Sequence, residues 1–266
     1  MTEPPAFRPH TVLAERDRLP RAVLAIATSY PPSYTLDWHE HRRAQLLYGA
    51  TGTMIVETAA GRWTVPSERA VVIPPGVSHR VQFLGVRTHS LYLEPAAVPW
   101  WPESCAVVDV SPLLRELLGA AVHMAPEYAA GGRDAALAAL LLHELAALST
   151  LPFHVELPRD PALAALCRAY LATPDARVSN ADWARASARS ERALSRSFSA
   201  DTGHSPAAWR LRARLLSALP RLREANVTTV AHELGYATPA AFTAAFSREF
   251  GSPPSAYAGR SLSPRR

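Results

Sequence analysis

The stretch Trp38-His39-Glu40-His41-Arg42-Arg43-Ala44-Gln45 places two imidazoles one residue apart, with a carboxamide four residues beyond the second. A second segment, Pro74-Pro75-Gly76-Val77-Ser78-His79, begins 29 residues after Gln45 and ends on a third imidazole. On a strand, alternate side chains share a face, so His39 and His41 can both point into one interior. Three imidazoles are a donor set for one divalent transition metal, whether Zn, Ni, Fe or Cu. Gln45 is a weaker ligand than a carboxylate and leaves such a site one charge more positive. The same four residues, His39, His41, Gln45 and His79, serve equally as polar groups lining a metal-free pocket for an organic effector. A purely structural role is the third possibility. His89 alternates with neighbours on a late strand, where it either lines the pocket or packs. His123, His143, His204 and His232 read as packing or capping residues.

Those side chains need strands to hold them, and residues 20–95 supply the pattern. RAVLAIATSY, AQLLYG, GTMIVET, GRWTVP, RAVVIPP, HRVQFLG and THSLYLEP are short apolar or alternating runs bounded by Gly, Pro or polar turns. That texture belongs to a β-sandwich or barrel. It changes near residue 111, where Ser111 caps and Pro112 opens an amphipathic helix. After Gly131-Gly132-Arg133 a second helix follows, and the pair forms a hairpin suited to docking on the sheet domain or on a second copy of the chain. LPFHVELPRDP, with three prolines, reads as a linker over 151–159. From residue 160 the sequence is helical, and 261–266 reads as a disordered tail.

The charge is divided. The net +5 separates into −3 over residues 1–158 and +8 over 159–266, and every basic residue is arginine. A basic half beside a mildly acidic one suits a nucleic-acid module joined to something else. Within it the same layout occurs twice. Ser179-x-x-Asp182 starts a short helix, Ser187-Ala188-Arg189 turns, and Ser190 caps a second helix with Leu194 and Phe198 on its buried side. Later a short helix ends at Leu234, Gly235-Tyr236-Ala237 turns, Thr238 caps and Pro239 opens a helix carrying Phe242, Phe246 and Phe250. SPAAWRLRARLLSALPRLRE reads as one long connecting helix bearing five arginines, with Pro220 set to kink or end it. Two helix-turn-helix units place their second helices for successive major-groove segments.

Two resemblances attach to these residues. GYATPAAFTAAFSREFGSPPSAY, with the Trp183-to-Pro206 pattern before it, resembles the DNA-binding half of the AraC/XylS family of bacterial transcription regulators. The HxHxxxQ and PxGxxH motifs resemble the cupin superfamily of small β-barrels, the sensor half of many such regulators. The implied architecture is α+β with two domains: a cupin-like barrel over 1–110, a dimerising helical hairpin over 111–150, and a double helix-turn-helix domain over 160–260. The resemblance implies Ser190, Arg192, Ser195, Arg196 and Arg210 as DNA contacts in the first unit and its connector. In the second it implies Thr238, Ala240, Thr243, Ala244 and Arg248. Small side chains in the second unit can touch thymine methyls but make no bidentate hydrogen bonds, so the first unit is expected to supply most of the sequence discrimination and the second mainly to position the protein. Ala188 stands where relatives carry Gly, and a left-handed backbone there would cost about 1 kcal/mol.

The expected partners are double-stranded promoter DNA, a small-molecule effector and a second copy of the chain. No apolar run approaches the roughly 20 residues of a membrane span. The N-terminus lacks a signal pattern, and Cys105 and Cys167 form neither a CxxC motif nor a disulfide framework. A cytoplasmic protein is expected. The run RAQLLYG…VET..GRW.VP resembles a branch of the family linked to transporter genes, which implies a transporter or resistance gene as target. A metal-dependent cupin enzyme with an accessory helical half is the alternative, although no G-x-S-x-G elbow, Walker loop or HExxH accompanies the histidines.

Overall fold

The computed structural model describes residues 17–31 and 33–258. The tail expected over 261–266 lies outside the described residues. The first half is eleven strands in two antiparallel sheets. They are β1 (Val23–Ser29), β2 (Tyr34–His39), β3 (Ala44–Gly49), β4 (Thr53–Glu57), β5 (Gly61–Val65), β6 (Arg69–Ile73), β7 (His79–Leu84), β8 (Arg87–Leu93), β9 (Ala106–Asp109), β10 (Thr150–Leu151) and β11 (His154–Glu156). One sheet runs β1-β8-β3-β6-β9-β10 and the other β11-β5-β4-β7-β2. The expected barrel is therefore a cupin-like sandwich rather than a closed cylinder. The chain changes sheet at corners such as Pro66-Ser67-Glu68, where proline withholds its ladder donor and Glu68 takes a positive φ of 60°.

β3 is buried on both faces, and the reason is what lies outside it. Gln45 and Leu47 face the sandwich interior. Ala44, Leu46 and Tyr48 face a hairpin of α1 (Pro112–Ala121) and α2 (Arg133–Ala146), where Leu114, Leu118, Leu141 and Leu145 complete a second core. Ser111 caps α1 through the Leu114 amide, as its position before Pro112 predicts.

The supposed linker is structure. β10 extends the first sheet beside β9, and β11 extends the second beside β5. Prolines conceal this in the sequence, but Pro152 and Pro158 fall just outside the two short strands and withhold no ladder donor from them. Beyond lie α3 (Pro161–Ala172), α4 (Asn180–Ala186), α5 (Glu191–Thr202), α6 (Pro206–Leu216), α7 (Ala218–Arg221), α8 (Val227–Glu233) and α9 (Pro239–Phe250). The connector is α6 and α7 rather than one long helix. It breaks at Ser217, ahead of Pro220, whose ring cannot continue the ladder.

Candidate effector site and DNA-binding surface

His39 and His79 are direct cross-strand partners on β2 and β7, and their ring centroids lie 4.1 Å apart. His41 joins them by another route than strand alternation, because β2 ends at His39. It sits in the following loop, with its Nδ1 2.6 Å from the Arg43 carbonyl and its ring 5.2 Å from that of His79. Gln45, on the inner face of β3, brings Oε1 to 2.9 Å from His41 Nε2 and Nε2 to 3.1 Å from the Tyr92 hydroxyl. The sequence-predicted quartet is thus brought together at one end of the sandwich. Tyr92 is a member that the sequence motifs do not contain; burial pushes its hydroxyl up to about 12, so it remains a neutral O–H.

Tautomer follows from these contacts. His39 Nδ1 lies 2.7 Å from the Asp37 carbonyl, and His79 Nδ1 lies 2.7 Å from that of Val77. A carbonyl only accepts, so all three rings donate from Nδ1 and carry their lone pair on Nε2. A neutral His41 then needs a donor opposite Nε2. The Gln45 amide supplies it when its NH2 end faces the ring and its oxygen takes the Tyr92 hydroxyl.

A backbone carbonyl on the second ring nitrogen is the usual support for a metal-bound histidine, so the donors suit an ion in kind. They do not yet suit it in placement. Imidazoles around one tetrahedral ion have centroids about 5 Å apart, whereas these pairs stand at 4.1, 5.2 and 6.3 Å. Among the described residues no three His, Cys, Asp or Glu side chains are arranged to hold a metal as they stand. The adjoining cavity is about 20 Å³, lined by His39, His79, Gln45 and Tyr92 together with groups such as Leu36, Val81 and Phe83, but not by His41. That is room for about one water.

Beside the cluster, Arg43 is fully buried and donates to the carbonyls of Asp17, Leu19 and Arg21. Burial lowers its pKa while Glu94 and Asp17 support the charge. It fastens the segment before β1 to the loop holding His41. A pair of arginines gave no sign of this in the sequence. His89 faces the hairpin side beside Tyr48, away from the cavity, and burial lowers its pKa. Trp38 is exposed with Arg80 over its ring, whereas Trp63 is core.

In the helical half each recognition helix is seated by its cap. Ser190 accepts from the Ala193 amide and Thr238 from the Ala241 amide, while Ser179 and Asp182 form a reciprocal capping box. Leu194 and Phe198 on α5, and Phe242, Phe246 and Phe250 on α9, are buried. That leaves Arg192 and Arg196 exposed with Ser195 half-buried on one helix, and Ala240, Ala244 and Arg248 exposed with Thr243 half-buried on the other. Ala188 takes the left-handed conformation at φ 52°.

Arg210 is a correction. It is 6% exposed, donates to Asn180 Oδ1 at 2.8 Å and lies over the Trp183 ring, so it holds α4 against α6 instead of meeting DNA. Burial lowers its pKa. The other connector arginines are also engaged internally. Arg212 and Arg221 pair with Glu249 and Glu233, Arg214 covers Tyr236, and Arg223 reaches Ser67.

A small polar cavity inside a sheet domain, fused to two capped helix-turn-helix units, defines a ligand-responsive DNA-binding regulator. The comparisons agree. Residues 22–194 match the family model of the AraC-like ligand binding domain, and residues 183–260 match that of a helix-turn-helix domain. The HTH-type transcriptional regulator NimR of Escherichia coli (strain K12) is 31% identical over 224 residues, 84% of this chain and 82% of that protein. The chain belongs to the AraC family of transcription regulators and is not an enzyme. Among solved structures, ToxT from Vibrio cholerae O395 aligns over 89% of this chain and 98% of its own, at 8% identity and a TM-score of 0.38. The DNA-binding domain of AdpA in complex with target DNA covers 36% of this chain and 88% of its own, at 30% identity and a TM-score of 0.34. Among the described residues no helix is long and apolar enough to cross a membrane.

Proposed function

We propose that the histidine-lined cavity is the effector site of this regulator, and that its occupancy alters how the two recognition helices meet promoter DNA. The observation carrying this reading is the shared tautomer: three rings at one end of the sandwich, each donating from Nδ1 to a backbone carbonyl. The shared tautomer supports a single divalent transition metal (Zn, Ni, Fe or Cu) held by His39, His41 and His79, a reading that requires the three rings to close to a common spacing of about 5 Å. Such an ion would act as a fixed positive charge binding the β2 and β7 ends to the following loop. The contact between His41 Nε2 and Gln45 favours a second reading. There an organic effector takes the place of the Gln45 carboxamide, and His39 and His79 supply acceptors to its donors.

Metal content separates the two. The untagged protein, purified without chelator, is expected to carry near one equivalent of a transition metal, and a correctly folded His79→Ala variant none. Metal-free wild type after anaerobic purification would overturn the ion and assign the cavity to an organic molecule. DNA reading is assigned to Arg192, Ser195 and Arg196 of α5, capped by Ser190. Ala240, Thr243, Ala244 and Arg248 of α9, capped by Thr238, mainly position the second unit and read a weaker element through apolar contact with thymine methyls. Self-association is assigned to the α1–α2 hairpin, supported by Leu113 and Leu140 at 50% and 41% exposure. A cytoplasmic location is assigned with promoter DNA as the partner. The RAQLLYG…VET..GRW.VP run supports a transporter or resistance gene as the target.

A further inference from the structure

Residues 150–156 pass between the two sheets and also touch the second helix-turn-helix unit. Thr150 and Leu151 pair with Val108 and Val107 in one sheet, and His154 to Glu156 pair with Trp63 to Gly61 in the other. Between them Phe153 is fully buried, and its carbonyl accepts from the Thr64 amide at 2.9 Å. Its ring leaves the sandwich, meeting Phe250 of α9 edge-on at a centroid distance of 5.4 Å and Tyr257 at the same distance. Phe246 packs edge-on against Phe250 and tilted against Tyr257, so a sensor side chain completes the aromatic core that seats the second recognition helix.

A polar contact runs beside the aromatic one. β11 is an edge strand, and its open carbonyls are met by α6. Trp209 Nε1 donates to the Glu156 carbonyl at 2.7 Å, and Arg212 donates to those of His154 and Pro152 at 2.8 and 2.6 Å. The remaining arm of Arg212 binds the Glu249 carboxylate in the last turn of α9. The first unit meets the sensor differently. α5 makes no ring contact with Phe153, and its seat is built from Trp183, Trp209 and Tyr170 within the helical half.

We infer that Phe153, Arg212 and Glu249 are positioning residues that tie α9 to the relative placement of the two sheets, so that the sensor sets the separation of the second recognition helix from the first. Phe153 is fixed at both sides by strands of different sheets. A shift of one sheet against the other therefore moves the ring on which α9 rests. Arg212 fixes the direction, because a planar guanidinium holding two carbonyls and a carboxylate tolerates little rotation. The inference rests on α5 and α9 being the helices that read DNA.

The test is selection of binding sites from a random duplex library by the full-length wild type, Glu249→Gln and Phe153→Leu. Thermal melts identify any variant that fails to fold, and Glu249→Gln removes only the carboxylate arm at the surface. Wild type is expected to select two sequence elements at one fixed separation, with affinity falling about tenfold when that separation changes by a base pair. Both variants are expected to retain the first element while the separation spreads and that loss shrinks to less than about threefold. A merely stabilising role would lower the melting temperature and leave the separation sharp. Variants that fold and keep the wild-type separation would overturn the inference. A single element in the wild type's own sites would remove α9 as a reader, and the inference would fall with it.

Discussion

The turn before α5 rests on Ala188 at φ 52°, a conformation in which its Cβ crowds the following carbonyl. The turn still closes, because the amides of Ala188 and Arg189 reach the carbonyls of Arg185 and Ala184. Ala188→Gly should therefore raise unfolding stability by up to about 1 kcal/mol, the left-handed strain relieved outweighing the added freedom of the unfolded chain. A urea midpoint that fell would show the strain to be absent. Two arginines near this turn are expected to behave in opposite ways. Arg196 is exposed on α5, and its replacement by Ala should leave the melting temperature alone while costing about 1–3 kcal/mol at one base of the operator. Arg210 supports Asn180 and Trp183 from inside. Arg210→Ala should lower the melting temperature and weaken binding at every sequence alike, as loss of a buried charged hydrogen bond does. A binding assay against single-base operator variants, run beside melts, separates the two patterns. Equal loss at all sequences for Arg196→Ala would make that residue a phosphate contact.

At the scale of elements, what could be read in the sequence depended on whether the signal was local. Caps are local: Ser111 with Pro112, Ser179 with Asp182, Ser190, and Thr238 with Pro239 each announce a helix that the structure contains. The proline that breaks the connector in two is local too. β10 and β11 are not, since two and three residues around Pro152 acquire strand geometry only because β9 and β5 offer free edges. The same holds for the site. His39 and His79 were legible as a motif, yet His41 arrives through the loop carbonyl of Arg43, and Tyr92 and Arg43 gave no local sign of belonging there. The α1–α2 hairpin was legible from its periodicity, but its outer face tests the expectation of a dimer. Leu113 and Leu140 are exposed while their helix-mates Leu114, Leu118 and Leu141 cover the sheet. The wild type is expected to elute at the mass of two chains by light scattering, and a Leu113→Glu, Leu140→Glu double variant should keep its fold and elute at the mass of one. A double variant that remained dimeric would move the interface off this hairpin.

Across the whole molecule, charge and core divide the chain at different places. The charge boundary lies near residue 158, separating −3 from +8, and this confines attraction for phosphate to the helical half. The main core ignores that boundary. Leu47, Val56, Trp63 and Phe83 of the sandwich continue through Phe153, Val155 and Leu157 into Leu163, Trp209, Phe246 and Phe250, one contiguous apolar cluster. Arg62 of β5 adds a hydrogen bond to the Leu171 carbonyl of α3 at 3.0 Å. Domains joined by a flexible linker unfold separately, whereas apolar surface shared between them must be exposed by both at once. Calorimetry of the full chain should therefore give one transition with matching calorimetric and van't Hoff enthalpies, even though chains of this size commonly give more. Phe153→Ala removes the ring where the two halves meet and should split that transition, the second helix-turn-helix unit melting first because its aromatic seat has lost a wall. Two transitions in the wild type would mean that the shared core contributes little cohesion and that the halves are coupled only through the side chains on the β11 edge.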